Sequence, residues 1–159
     1  MLRVFLAETT EQLAQVRALF EEYAAQLGHD LEFQHFSAEL AGLPAGYAVP
    51  DGCLLLATYA DELAGCVALR RQSPRICEMK RLYVRPRFRR QGIGRRLALE
   101  IIGLARQAGY ERMRLDTLAD MDVPRALYRG LGFGEIAPYY DNPIPGAVFL
   151  ELDLTQPTG

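Results

Sequence analysis

Apolar and polar residues alternate in stretches of different period along this chain, and the period names the elements. Leu2–Ala7 is a short, mainly apolar run that predicts a strand. Thr9 and Gln12 stand at capping-box spacing, and Leu13, Val16, Phe20, Tyr23 and Leu27 then recur at steps of three and four up to Gly28. That is the signature of an amphipathic helix with its start and stop marked. Phe36–Leu43 predicts a second, short helix before Pro44. Cys53–Tyr59 and Leu63–Leu69 read as strands joined by a hairpin at Ala60-Asp61-Glu62.

Ile76–Val84 is a further strand, but its alternation slips: Cys77 and Met79 are apolar at odd positions, Leu82 and Val84 at even ones. A slip of one residue is what a β-bulge produces, and bulges re-aim side chains beside functional sites; a strand end buried on both faces is the plainer alternative. Ile93, Leu97, Ile101, Leu104, Ala105 and Ala108 share one face of a helix stopped by Gly109. Met113–Thr117 predicts a strand. Asp122 is placed to cap a helix with Pro124 in its first turn and Leu127, Tyr128 and Leu131 on one side, before Gly132. Phe133–Ala137 and Ala147–Leu154 predict two last strands around the turn-rich loop 138–146. Mixed strands and helices in this order imply an α/β fold with a sheet of mixed direction.

The 159 residues are half hydrophobic and 24% charged, which suits one globular domain, expected over 1–154 with a short tail at 155–159. No apolar run reaches membrane-spanning length, and the run after Met1 is too short for a signal peptide, so the expectation is a cytoplasmic protein without membrane partners. Cys53, Cys66 and Cys77 show no metal spacing, and with only His29 and His35 beside them neither a disulfide framework nor a metal site is expected.

Charge changes the picture. Residues 1–70 hold three Lys/Arg against ten Asp/Glu, whereas residues 71–159 hold fifteen against ten, eight of them between Lys80 and Arg96. An anion site is expected in the second half. Its best candidate is Arg89-Arg90-Gln91-Gly92-Ile93-Gly94-Arg95, an arginine-rich loop whose glycines open a helix. Exposed amides at a helix start favour a pyrophosphate, while a solvated basic loop is the bland alternative. A P-loop would need Lys-Ser/Thr after Gly94, where Arg95-Arg96 stand. A dinucleotide fingerprint would need a third glycine where Leu97 stands, although Asp116 lies near the distance of a ribose-binding acid.

Arg89-x-x-Gly92-x-Gly94 after Leu82-Tyr83-Val84-Arg85-Pro86, with Glu78 upstream and Leu127-Tyr128 and Gly132-Phe133 downstream, resembles the GNAT superfamily of N-acetyltransferases over most of the chain. The resemblance implies a GNAT-like mixed β-sheet of about six to seven strands and about four helices, with splayed central strands. Many members carry Asn and Ala where Met121 and Pro124 stand here. It further implies that Leu82, Tyr83 and Val84 pair with the pantetheine arm of acetyl-CoA, and that Arg89, Arg90, Gln91, Gly92, Ile93, Gly94 and Arg95 hold its pyrophosphate. A bulge-freed amide would face the thioester oxygen.

In such a site Glu78 is the candidate base for an amine acceptor and Tyr128 the candidate acid for the departing thiolate. Their plain alternatives are an exposed strand carboxylate and a core tyrosine. Tyr139, Tyr140, Asp141 and Asn142 are candidates for the acceptor side; turn chemistry alone would account for Asp141 and Asn142. The expected function is acetyl transfer from acetyl-CoA to a primary amine of a small molecule or protein, in a ternary complex without metal; a homodimer is compatible with the resemblance. Two rivals remain: an acyl-CoA sensor without catalysis, and a nucleic-acid module using Lys80–Arg96, which the net charge of −2 disfavours.

Overall fold

Local chemistry fixes most element ends in the computed structural model, which describes residues 1–118 and 122–156. The Thr9 side chain accepts from the Gln12 amide, and Gln12 Oε1 accepts from Thr9 N, so both arms of the predicted capping box open α1 (Thr10–Leu27). Gly28, at φ +71°, ends it. The short α2 (Phe36–Gly42) follows a single 3₁₀ turn at Glu32–Gln34. Strands β1 (Leu2–Leu6), β2 (Cys53–Tyr59), β3 (Glu62–Ser73) and β4 (Ile76–Val84) form an antiparallel run. The β2–β3 hairpin turns at Ala60 and Asp61, both at positive φ.

Helix α3 (Ile93–Gln107) then leads to β5 (Arg112–Leu118), α4 (Asp122–Gly130), β6 (Gly134–Ile136) and β7 (Ala147–Asp153). All seven strands form one sheet in the order β1-β2-β3-β4-β5-β7-β6, with β4 and β5 parallel and the other pairs antiparallel. Among the described residues, seven strands and four α-helices meet the expected mixed architecture.

Two strands depart from the expected bounds. Strand β3 continues past Leu69 because Arg70 and Arg71 pair with Glu78 and Cys77, and the Arg70–Glu78 ion pair lets polar residues extend the ladder. Strand β6 is shorter than Phe133–Ala137, since Phe133 is spent on the core. The commonly Asn position, Met121, lies outside the described residues, while Pro124 stands in the first turn of α4 as expected.

One layer of core lies under α3, where Ile93, Leu97, Ile101 and Ile102 meet Val67, Met79, Met113 and Leu115. Each such aliphatic side chain contributes about 1.5–3 kcal/mol on burial. The other layer lies under α1, where Val16, Leu19 and Phe20 meet Leu54, Leu56, Cys66 and Tyr83. The predicted slip in β4 is a bulge: partners run Ala68↔Lys80 and then Cys66↔Tyr83, so three steps along β4 face two along β3. Arg81 sits in it at φ +59°. Cys77 and Met79 before the bulge and Leu82 and Val84 after it therefore all face α3, and Glu78 and Lys80 face α1 and α2. Beyond Glu78↔Arg114 no pairing joins β4 to β5, so the two parallel strands part.

Candidate active site

Gly92 caps α3 at φ +77°, a left-handed conformation that a side chain would strain, and a Cβ there would meet open space. None of the backbone N–H groups from Arg90 to Arg95 donates to another described residue. They lie at the start of a fifteen-residue helix, where the helix dipole adds partial positive charge. A Cβ on Gly94 would stand 3.7 Å from Val84 Cγ2 and 3.9 Å from Leu127 Cδ2, so the end of β4, the start of α3 and α4 converge here. The edge of β4 left open by the departing β5 ends at the same place.

The arginines divide their work differently from the expectation. Arg89 donates from Nε to the Val84 carbonyl at 2.9 Å and from Nη2 to Gln26 Oε1 at 2.6 Å, and its guanidinium lies over the Tyr83 ring. It ties the loop to β4 and α1. Arg85, Arg87 and Arg96 pair with Glu22, Glu62 and Glu100. Lys80 and Arg81 are buried under α2, on the opposite face of the sheet. Of the eight cations from Lys80 to Arg96, Arg90 and Arg95 are thus left exposed, with neither an ion pair nor a side-chain hydrogen bond to another described residue. Gln91 is exposed beside them, while the side chain of Ile93 is spent on the core and only its amide faces the loop. Tyr83 is likewise available through its backbone, because its hydroxyl donates to Glu22 Oε1 at 3.3 Å.

Glu78 is not an exposed strand carboxylate. It is 3% exposed, held by Arg70 Nε at 2.8 Å on one oxygen and by the Tyr139 hydroxyl at 2.9 Å on the other. The adjacent tyrosines of the late loop both pack edge-on against Phe149, and Tyr140 stacks near Phe33. The Tyr140 hydroxyl donates to Asp116 Oδ2 and accepts from Gln34 Nε2 at 3.1 Å and Asn142 Nδ2 at 3.2 Å. Burial, reinforced by Glu78 and Asp116 respectively, pushes both phenols above their ordinary range. Asp141 is exposed.

Lys80 donates to Gln34 Oε1 at 3.1 Å, and burial, with Arg81 adjacent, lowers its ammonium to about 8. No motif in the sequence marks Lys80, Arg70 or Gln34 for this group, and Asp116 stands out there only by its distance from the glycines. A period-two count along Glu78 and Lys80 would have put both on one face; nothing local would have brought in Gln34.

Tyr128 is 7% exposed, its ring edge-on to Phe133 at 5.6 Å. Burial raises its phenol, with Tyr23 and Asp116 adding to the effect, so the hydroxyl stays protonated and within electrostatic reach of Asp116. It makes no hydrogen bond to another described residue. Burial also pushes the Cys53 and Cys77 thiols up to about 12 and Cys66 further, which leaves no thiolate nucleophile at neutral pH.

Comparisons with known proteins give the family and the fold. Residues 11–133 match the Acetyltransferase (GNAT) family. An uncharacterised N-acetyltransferase of Schizosaccharomyces pombe is 40% identical over 148 residues, 92% of this chain and 91% of that one. An acetyltransferase from Streptococcus agalactiae superposes with a TM-score of 0.79 at 19% identity, covering 96% of this chain and 98% of the other. A GNAT family acetyltransferase from Elizabethkingia anophelis, solved with acetyl-CoA bound, is 26% identical over 65% of this chain and 76% of its own, with a TM-score of 0.56.

Proposed function

This chain belongs to the GNAT family of acetyltransferases and is an acyltransferase, and from that premise we propose that it moves the acetyl group of acetyl-CoA to a primary amine by direct attack with both substrates bound. The observation that carries the reading is the parting of β4 from β5 directly beside an α3 start whose amides are unspent. The residues present fit the cosubstrate. Amides from Arg90 to Arg95 and the side chains of Arg90 and Arg95 suit a pyrophosphate, and the open edge at Leu82–Val84 suits an amide-bearing arm added as a strand would be.

Acetyl-CoA supplies an activated acyl carbon and a thiolate leaving group. The chain's own work is then to hold the amine, remove its proton and return one to sulfur. An alkylammonium of pKa about 10.4 loses one proton before attack and another as the C–N bond forms. Glu78, fixed by Arg70 and Tyr139, still has acceptor capacity on both oxygens to take a proton, directly or along the Tyr139 hydroxyl. Tyr128, kept protonated by burial, donates to the departing sulfur. With every thiol buried and protonated, an acyl-cysteine intermediate has no support.

The test is a screen of primary amines with acetyl-CoA, following free thiol, together with calorimetry on Gly92→Glu. That substitution strains the left-handed cap and sets a carboxylate where the phosphates belong, so acetyl-CoA binding should be lost in a folded variant. Unchanged affinity removes the cradle. Tight acetyl-CoA binding with no thiol release for any amine would identify a sensor.

A further inference from the structure

Most charges on the face of the sheet that carries Glu78 are matched, and Lys80 and Asp116 are the exceptions. Arg70 meets Glu78, Arg81 meets Glu39 and Arg114 meets Glu151, each within 3.0 Å. Lys80, 5% exposed, meets no carboxylate at ion-pair distance among the described residues; its partner is the neutral amide oxygen of Gln34. Asp116 is the counterpart, held by the Tyr140 hydroxyl and by Asn142 Nδ2 at 2.8 Å, neutral donors both. The two ends are joined, because Gln34 Nε2 donates to the same Tyr140 hydroxyl. A cation and an anion therefore stand at opposite ends of a neutral relay, Lys80–Gln34–Tyr140–Asp116. Burying a charge against a neutral amide is unfavourable unless something else completes the pairing.

Building on the acetyl-transfer reading above, we propose that this relay is the acceptor's receptor, and that the acceptor is a compact amine that also carries a carboxylate, with the carboxylate on Lys80 and the amino group at Asp116. The orientation follows from the neighbours. Asp116 is the end felt by the Tyr128 hydroxyl, so an amine there lies toward the gap between β4 and β5. Lys80 lies beyond, next to the buried Arg81, where an anionic group is favoured and a second ammonium is not. A polyamine would set its second charge against Lys80; a peptide N-terminus has given up its α-carboxylate to the peptide bond. The Gln34 amide oxygen occupies the place of the incoming carboxylate, so binding exchanges a neutral acceptor for a charged one, which strengthens the bond.

The test compares aspartate, glutamate, β-alanine and glycine with their decarboxylated or amidated counterparts at saturating acetyl-CoA, in the wild type, Lys80→Met and Lys80→Arg. Carboxylated amines should lead by roughly 10²-fold in kcat/KM, as expected for a charge-assisted bond in a buried site. Lys80→Met should erase most of that preference through KM, and Lys80→Arg should retain it. As a readout independent of turnover, side-chain NMR of Lys80 during titration with N-acetylaspartate and N-acetylglycine should show its protonation midpoint rise. Equal or better turnover of amines without the carboxylate overturns the proposal, as does a preference unchanged in Lys80→Met. If no amine on the panel turns over, a Lys80 signal indifferent to both carboxylates overturns it. Failure of acetyl-CoA to bind at all would strike the underlying reading instead.

Discussion

In the proposed reaction Tyr128 would add a chemical role to its packing role, and a single oxygen separates the two. Tyr128→Phe keeps the edge-on contact with Phe133 and removes the hydroxyl. We expect kcat to fall by about 10²–10⁴ with acetyl-CoA affinity little changed, measured under conditions where chemistry limits the rate. Turnover at the wild-type level would leave Tyr128 a core tyrosine. Lys80 gives a prediction of the opposite kind, in stability. Its midpoint falls from 10.5 to about 8 on folding, so between those values the unfolded chain holds a proton that the folded chain has released. Stability of the wild type should therefore rise with pH through that window, and below it the buried charge is a standing burden of about 3 kcal/mol. Lys80→Met should be the more stable protein in urea at pH 7, with the gap roughly halved by pH 9.5. A constant gap would show that Lys80 is paired in solution. Glu78 and Tyr128 stand out in the sequence because each sits in a motif; the partners of Glu78, Arg70 and Tyr139, lie on β3 and in the late loop, where no motif marks them.

At the scale of elements, the bulge in β4 organises the site. Its phase slip could be read from Cys77, Met79, Leu82 and Val84, because a strand with one face under α3 must return apolar residues to that face. What the pattern does not reveal is what occupies the bulge. Arg81 takes the left-handed conformation there, which costs about 1–2 kcal/mol for a residue other than glycine. Its guanidinium pairs with both oxygens of Glu39 on α2 and lies over the rings of Tyr23 and Phe36. Burial opposes its charge, but the Glu39 bonds outweigh that and raise Arg81 above its ordinary value. Glu39→Ala would leave a buried guanidinium unpaired in the bulge, so the protein should lose about 3–5 kcal/mol in denaturant unfolding. A loss below 1 kcal/mol would mean that water reaches Arg81 and that α2 is not anchored by this pair. The capping box of α1 needed no such context: Thr9 and Gln12 are three residues apart and answer only to each other.

For the molecule as a whole, the sheet is in two parts, joined at β4–β5 by only Ile76↔Arg112, Cys77↔Met113 and Glu78↔Arg114. A ligand seated in the gap would bridge them. Acetyl-CoA at a hundred times its Kd should add about 2.7 kcal/mol to stability, read as a rise in Tm, and should slow hydrogen exchange at Leu82–Val84 and Arg90–Arg95. Protection confined to other segments would place the cosubstrate elsewhere. The same scale explains why the basic run misled as a patch. Eight cations between Lys80 and Arg96 are contiguous in sequence. The bulge, the strand's two faces and the carboxylates of α1, α2 and β3 then send most of them to separate partners.

The sequence by itself determined what depends on neighbours within a few turns: element types and caps, the phase slip of β4, and the glycine-opened helix with its unspent amides. The α/β class and the parting of the central strands also followed, the latter through the resemblance carried by Arg89, Gly92 and Gly94. Tertiary structure alone decided which ionisable groups are buried together. Lys80 meets Gln34 across forty-six positions and Tyr139 meets Glu78 across sixty-one. Pairings over such separations are set by sheet register and by the packing of the late loop on Phe149, not by any local preference. Burial and partner together fix the charge of a side chain, and both come from contacts that no stretch of sequence contains.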